Sequence, residues 1–228
     1  MSRYSRGEDI LRLINEKGNV TIQELAEKTF ASPSTIRREL GRLEQQGLLR
    51  RYHGGAESVS SLRPPQIIRH NSNQKEKKSI AERAAKLVAA DSCIFIDAST
   101  TLQYMIPHLS GIKNLTVYTN GADTAMRLSE ARIRTLCTGG ELLSESMAYV
   151  GAEAIDTVRK IYFDAMFFSS AGFDDAVISD WSEPETVLRR AVMEQSAKKY
   201  FLADATKRDK RFTYIVCKTD TVDEIICE

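Results

Sequence analysis

The reading of the chain turns on Ser32-Pro33-Ser34-Thr35-Ile36-Arg37-Arg38-Glu39-Leu40-Gly41-Arg42-Leu43-Glu44-Gln45-Gln46-Gly47. Ser32 supplies an N-cap and Pro33 a proline at the first helical position, which predicts a helix from Pro33 to about Gln46, closed by Gly47. At about 100° per residue, Ile36, Leu40 and Leu43 fall in one narrow stripe that must face a core. Ser34, Arg38, Gly41, Arg42 and Gln45 lie opposite, with Thr35 and Arg37 on the flanks. Gly41 costs about 1 kcal/mol of helix propensity, a tolerable loss where the backbone has to approach another molecule closely.

Upstream, Gly7 to Lys17 carries Ile10, Leu11 and Ile14 on one helical face and ends at Gly18. Thr21-Ile22-Gln23-Glu24 is a T-x-x-E capping box opening a second helix that buries Ile22, Leu25 and Ala26. Downstream, Leu48-Leu49-Arg50-Arg51-Tyr52-His53-Gly54-Gly55-Ala56 reads as a short strand entering a tight glycine turn, the pattern of a β-wing beside a helix-turn-helix. Taken singly, Arg37, Arg38 and Arg42 are ordinary solvated residues. A capped helix pair, a cationic exposed face and a basic wing together point to duplex DNA. Hydroxyls hold phosphates, and arginine grips guanine O6 and N7 in bidentate fashion. The candidate DNA contacts are Ser32, Ser34, Thr35, Arg37, Arg38, Arg42, Arg51 and His53. Arg51 and His53 suit phosphate or minor-groove contacts.

Ile22-x-x-Leu25-Ala26, Ser32-x-Ser34-Thr35-Ile36-Arg37-Arg38-Glu39-Leu40, Leu43-Glu44-x-x-Gly47-Leu48-Leu49 and Arg51-x-His53-Gly54-Gly55-Ala56 resemble the N-terminal signature of DeoR-type transcriptional regulators. The resemblance is dense over roughly the first 56 residues. It departs at Glu39, where the family usually has Asp; the longer carboxylate keeps the charge.

Charge follows the same division. Met1 to Ser79 holds 15 Lys and Arg against 9 Asp and Glu, whereas Ile80 to Glu228 holds 17 against 22. A basic head on an acidic body suits an anionic partner for the head. Between them, Glu57 to Ser79 contains Ser58, Ser60, Ser61, Pro64, Pro65, Asn71, Ser72 and Asn73 with few regularly spaced apolar residues. It reads as an interdomain linker. The expected division is thus residues 1–56 as a winged helix-turn-helix, 57–79 as linker and 80–228 as an α/β domain.

In the body, apolar runs at Cys93 to Ile96, Leu115 to Tyr118, Ile133 to Cys137, Ala165 to Ser169, Tyr200 to Ala203 and Ile225 to Cys227 alternate with helix-length stretches. Those stretches are Ile80 to Ala90, Thr101 to Leu109, Ala122 to Glu130, Gly151 to Lys160 and Glu183 to Lys199. This alternation predicts a mostly parallel sheet covered by helices. Four runs end in polar turns: Asp97-Ala98-Ser99-Thr100-Thr101, Thr119-Asn120-Gly121, Thr138-Gly139-Gly140-Glu141 and Asp204-Ala205-Thr206-Lys207. Ligands of open α/β sheets collect at the carboxyl ends of strands, so these turns are expected to share a crevice. A hydroxyl-rich turn before a helix offers N–H and O–H donors to an anion.

Asp97-x-x-Thr100-Thr101, Thr119-Asn120, Gly139-Gly140, Val150-Gly151, Ala171-Gly172 and Asp204-x-x-Lys207 also fall in the order of the DeoR-type sensor domain, similar in fold to ribose-5-phosphate isomerase and coenzyme A transferases. The resemblance implies recognition of a phosphorylated sugar or related metabolite, with the phosphate on the Asp97 to Thr101 turn. It implies effector contacts at Asp97, Ser99, Thr100, Thr101, Asn120, Gly139, Gly140, Arg189, Asp204 and Lys207. Ser99 and Ala176 stand where the family often has Gly, and Arg189 where it commonly has Lys.

The expected function is a metabolite-responsive transcriptional regulator, a repressor of a carbohydrate-use operon, acting as a homo-oligomer (dimer or tetramer) on double-stranded operator DNA. The alternative is a sugar-phosphate isomerase or transferase with a nucleic-acid-binding appendage, using Asp97 with Glu141, Asp204 or Lys207 as acid and base. No compact catalytic motif supports it, so an enzyme is not expected. The four cysteines are widely spaced without C-x-x-C, and the three histidines stand apart from them. Neither a metal nor a cofactor is expected, and a reduced cytoplasm fits. Met1 to Ile10 has charges of both signs and no apolar core, and no run reaches membrane-spanning length, so neither a secretory signal nor a membrane partner is expected.

Overall fold

In a computed structural model of the chain, residues 6–45, 48–52, 54–57 and 66–228 are described. Two compact units divide it, Met1–Asn71 and Ser72–Glu228.

The first unit begins with α1 (Arg6–Lys17), β1 (Asn19–Thr21), α2 (Ile22–Thr29) and α3 (Pro33–Gln45). β2 (Arg50–Tyr52), β3 (Gly55–Glu57) and α4 (Gln66–Asn71) follow. Ile36, Leu40 and Leu43 are buried against Ile10, Leu11, Ile14, Leu25 and Leu49, as the stripe on α3 requires. The capping box closes as read: Glu24 N donates to Thr21 Oγ1 at 3.2 Å, and Thr21 N donates to Glu24 Oε2 at 3.0 Å. Ser32 Oγ accepts from Thr35 N at 3.2 Å and caps α3. The wing is three-stranded, in the order β1-β3-β2, because Val20 pairs with Ala56. Three residues of β1 are too few for a visible alternation, and the sequence reading passes over them. Gly55 is obligatory here, since a Cβ would stand 2.5 Å from both Val20 O and Tyr52 Oη.

The expected linker is corrected over its second half. Gln66–Asn71 is helical, and Asn71 Nδ2 reaches Glu8 Oε1 at 2.9 Å. Gln74–Ala85 forms α5, which buries Lys77, Ile80, Ala81, Ala84 and Ala85. Its first turns are Gln-Lys-Glu-Lys-Lys, good helix formers without an apolar period, and so look like solvated chain in the sequence. Residues 58–65 lie outside the described residues, as do Gly47 and His53.

The second unit is built on a six-stranded parallel sheet in the order β14-β12-β9-β4-β5-β6. In chain order come β4 (Cys93–Ile96), α6 (Thr100–Gln103), β5 (Thr116–Thr119), α7 (Ala122–Glu130) and β6 (Arg134–Cys137). After the hairpin β7 (Glu141–Leu143) and β8 (Ala148–Val150) come α8 (Ala152–Arg159) and β9 (Phe163–Phe168). β10 (Gly172–Phe173), β11 (Val177–Asp180), α9 (Glu183–Glu194), β12 (Ser196–Ala203), β13 (Tyr214–Lys218) and β14 (Glu224–Cys227) complete the chain. All six apolar runs read from the sequence are strands of this sheet. α9 stops earlier than expected because its last residues belong to β12. β10, β11 and β13 form a small antiparallel sheet that the sequence reading did not anticipate.

The alternation of strand side chains creates two apolar layers. Ile94 and Ile96 join Ile80, Leu102, Leu109 and Leu128 on one face. Phe95 faces the other way, with Val158, Phe163, Leu188 and Val192. The chain runs outward from β4 through β5 to β6, then returns to β9 on the other side of β4. The switch point therefore lies between the carboxyl ends of β4 and β9, where a doubly wound sheet opens its ligand crevice.

Candidate functional site

In the head, α3 presents Ser34, Arg37 and Arg38 to solvent, with Thr35 half-buried. Ser32 Oγ lies 2.8 Å from Ser34 Oγ and 2.9 Å from Thr35 Oγ1, so the three hydroxyls form one polar rim at the start of the helix. Among the described residues, Arg37 and Arg38 make no ion pair or side-chain hydrogen bond and are available to a partner. Arg42 pairs with Glu39 at 3.4 Å, and Arg51 with Glu44 at 3.0 Å. Glu44 also accepts from Arg51 N at 2.9 Å, tying the wing strand β2 to α3. Arg37, Glu44, Arg51 and Tyr52 line a groove of about 540 Å³ between the helix and the wing. His53 lies outside the described residues.

In the body, the turns at the ends of β4, β5, β6 and β12 lie along one edge of the sheet, as the strand order requires. Asp97, at the end of β4, is buried. Its carboxylate accepts from Ser99 N at 2.9 Å, Ser169 N at 3.3 Å and Arg189 Nε at 3.0 Å. Arg189 is 5% exposed, and its remaining nitrogens reach Asp180 Oδ2 at 3.0 Å and Glu185 Oε2 at 3.2 Å. Burial alone would lower the guanidinium's pKa; Asp180, Asp97 and Glu185 outweigh it and hold the group above its ordinary value. Ser170 Oγ adds a bond to Asp180 at 3.0 Å. Arg189 is thus a strut beneath the switch point, with each of its nitrogens already engaged.

Thr100 and Thr101 are buried, and Thr100 Oγ1 accepts from Lys77 Nζ at 3.3 Å. Lys77 is 4% exposed and comes from the stretch read as linker, so sequence reasoning missed it. The signal that could have found it is the apolar spacing Ile80-Ala81-Ala84-Ala85, extended one turn backward. On the other side of the switch point, Lys207 Nζ donates to Ser169 Oγ at 2.8 Å. Two lysines therefore address the ends of adjacent strands. With only four residues, α6 has little macrodipole, and the lysines and hydroxyls carry the positive character of this edge.

Asn120 and Asp204 serve as latches. Asn120 Oδ1 accepts from Ala98 N at 3.1 Å while its Nδ2 donates to Tyr149 O at 3.2 Å. Asp204 accepts from Thr206 N at 3.2 Å and Asn73 Nδ2 at 3.1 Å. Gly140 sits at φ +102, where a Cβ would stand 2.3 Å from Val150 O; Gly139 at φ +70 has open space beside it. The glycine pair is therefore set by the turn into the β7–β8 hairpin. Ser99 is half-buried, with its hydroxyl unpartnered. Ser169, Ser170, Asp180 and Glu185 join the site without having been singled out. Glu185 and Arg189 stand four apart on α9, a spacing that could have marked them.

The comparisons agree over both units. Residues 72–228 match the family model described as the DeoR C terminal sensor domain, and residues 6–62 the DeoR-like helix-turn-helix domain. The HTH-type transcriptional regulator GolR of Listeria innocua is 31% identical over 100% of this chain and 91% of its own length. The lactose phosphotransferase system repressor of Staphylococcus epidermidis is 28% identical over 100% and 93%. In fold, the chain is similar to eIF2B delta from Chaetomium thermophilum: the TM-score is 0.51 and the identity 11%, covering 86% of this chain and 63% of that one. Ribose 5 phosphate isomerase A from Neisseria gonorrhoeae gives a TM-score of 0.45 at 16% identity, covering 59% and 53%.

Proposed function

The chain belongs to the DeoR family of transcriptional regulators, and from that premise we propose that it represses a carbohydrate-use operon and leaves its operator when a phosphorylated sugar enters the β4/β9 crevice. The observation that carries the effector reading is the pair of lysines at the switch point, Lys77 on Thr100 and Lys207 on Ser169. Two ammonium groups beside hydroxyls, above a rigid buried base, suit a dianionic phosphate. The likeness to a lactose phosphotransferase system repressor supports a sugar as the rest of the molecule.

DNA is read by α3 with Arg37 and Arg38, while Ser32, Ser34, Thr35 and the wing hold phosphates. One winged unit covers too little duplex for operator-grade affinity, so the protein acts as an oligomer on paired half-sites. A regulator that works on operator DNA acts in the cytoplasm. Among the described residues no helix is long and apolar enough to cross a membrane. The isomerase alternative is not favoured: the relatives are named as regulators, and Asp97, its proposed acid or base, is held by Arg189 and two backbone amides.

A mobility-shift titration on the DNA upstream of the protein's own gene tests this reading. The complex should dissociate with one member of a panel of sugar phosphates and persist with the corresponding free sugars. A complex indifferent to every sugar phosphate would contradict it.

A further inference from the structure

The body leaves polar atoms buried and unpartnered in one corner. Among its described residues six side-chain atoms are in this state, and five belong to Ser99, Gln103, Thr124 and Ser146; the sixth is Thr186 Oγ1. Native folds pair nearly all such groups, so a concentration of this kind requires an explanation.

Three neighbouring segments carry the four residues. Ser99 stands at the N-cap position of α6, making no side-chain cap bond, and Gln103 ends the helix. Thr124, on the first turn of α7, places Oγ1 2.7 Å from the position a Cβ on Gly121 would occupy, and Ala98 Cα lies 2.8 Å from that position. The β7–β8 hairpin is stitched to the same place: Gly121 bridges to Ala148, Ala122 N donates to Met147 O at 2.9 Å, and Ser146 immediately precedes Met147. The β4–α6 turn, the β5–α7 turn and the hairpin therefore meet around Gly121.

We infer that Ser99, Gln103, Thr124 and Ser146 form the subsite that reads the hydroxyl groups of the effector. This rests on the anion site proposed at Lys77 and Lys207. Three hydroxyls and one amide offer donors and acceptors without charge, matching a polyol and not a second anion or a cation. Their place fits a two-part ligand. The lysines serve the β4/β9 side of the Asp97 to Thr100 turn, and these side chains serve the β4/β5 side. Phosphate recognition supplies affinity common to many metabolites, and the hydroxyl corner selects the sugar, because leaving its groups unpaired penalises a wrong ligand.

Calorimetric titration of the full-length protein separates the two parts, with inorganic phosphate, ribose 5-phosphate, fructose 1-phosphate, fructose 6-phosphate and glucose 6-phosphate as probes. The wild type should bind one sugar phosphate about tenfold or more tighter than inorganic phosphate. Thr124→Val and Ser146→Ala should each reduce that preference by about three- to tenfold while leaving inorganic phosphate binding unchanged. Their ligand-free thermal midpoints should stay level or rise, because each removes an unpaired buried hydroxyl. A wild type that binds inorganic phosphate but no sugar phosphate more tightly would overturn the subsite and leave the anion site standing. Variants that weaken both ligand classes equally, with lowered midpoints, would make these residues structural and also overturn it. If the wild type binds neither class, the anion site fails and the subsite falls with it.

Discussion

The Asp97 carboxylate accepts a hydrogen bond from Arg189 Nε at 3.0 Å, joining the end of β4 to the middle of α9 inside the protein. Asp97 is also the residue that shapes the turn into Thr100, through Ser99 N. The β4/β9 switch point therefore rests on a buried ion network in which one guanidinium serves Asp97, Asp180 and Glu185.

Removing that guanidinium leaves three buried carboxylates without their cation. Arg189→Leu should destabilise the body by about 3–5 kcal/mol, measured by urea unfolding at neutral pH. Arg189→Lys should recover only part of this, since a point charge cannot reach three carboxylates as a planar fork does. A Leu variant with wild-type stability would show that the network contributes little.

On α3, freedom from internal pairing ranks the arginines. Arg38→Ala should leave the fold intact and weaken operator binding by about 1–3 kcal/mol if it grips a base. Arg42→Ala should cost less, because Arg42 must first leave Glu39. Operator titrations at one fixed salt concentration check the order, and equal affinity for Arg38→Ala and wild type would refute the assignment.

The capping box of α2 gives a pH dependence with a defined sign. The backbone N–H of Thr21, then the Lys17 ammonium, hold Glu24 down from 4.5 to about 2. A depressed carboxylate stabilises the folded head above pH 4.5, and that contribution fades as the pH falls toward about 2. The difference in thermal midpoint between wild type and Glu24→Gln should be present at pH 6 and close across that window. A difference independent of pH would reject the cap as its cause.

Phe30 ends α2 in the left-handed region at φ 51 and is 97% exposed. A bulky side chain there strains the backbone and buries nothing in return. Phe30→Asn should stabilise the head by about 0.5–1 kcal/mol, seen as a raised denaturant midpoint, since asparagine tolerates this conformation. A destabilised variant would mean that Phe30 packs in the folded protein.

The head was legible because its signals are local: Thr21 with Glu24, Ser32 with Pro33, and the stripe Ile36, Leu40, Leu43 each fall within one or two helical turns. The parallel strands were legible as apolar runs between helix-length stretches. What escaped was non-local. Lys77 reaches Thr100 only because α5 packs on the sheet, and the helix's polar first turns carry no period. Arg189 was read as an effector contact, yet a guanidinium's role is set by its neighbours, and Asp97 lies 92 residues away in sequence. The two-residue strand β10 is too short to show any alternation.

The most direct test of the account is linkage between crevice and operator. Effector and DNA must weaken each other by the same factor if the effector favours the DNA-free state. Lys77→Met and Lys207→Met should bind operator as tightly as wild type in the absence of sugar phosphate. Each should require about ten- to a hundredfold more of the releasing sugar phosphate for half-dissociation, the loss of one charged hydrogen bond. Release at the wild-type concentration in both variants would contradict the claim that Lys77 and Lys207, which face the ends of β4 and β9, hold the effector.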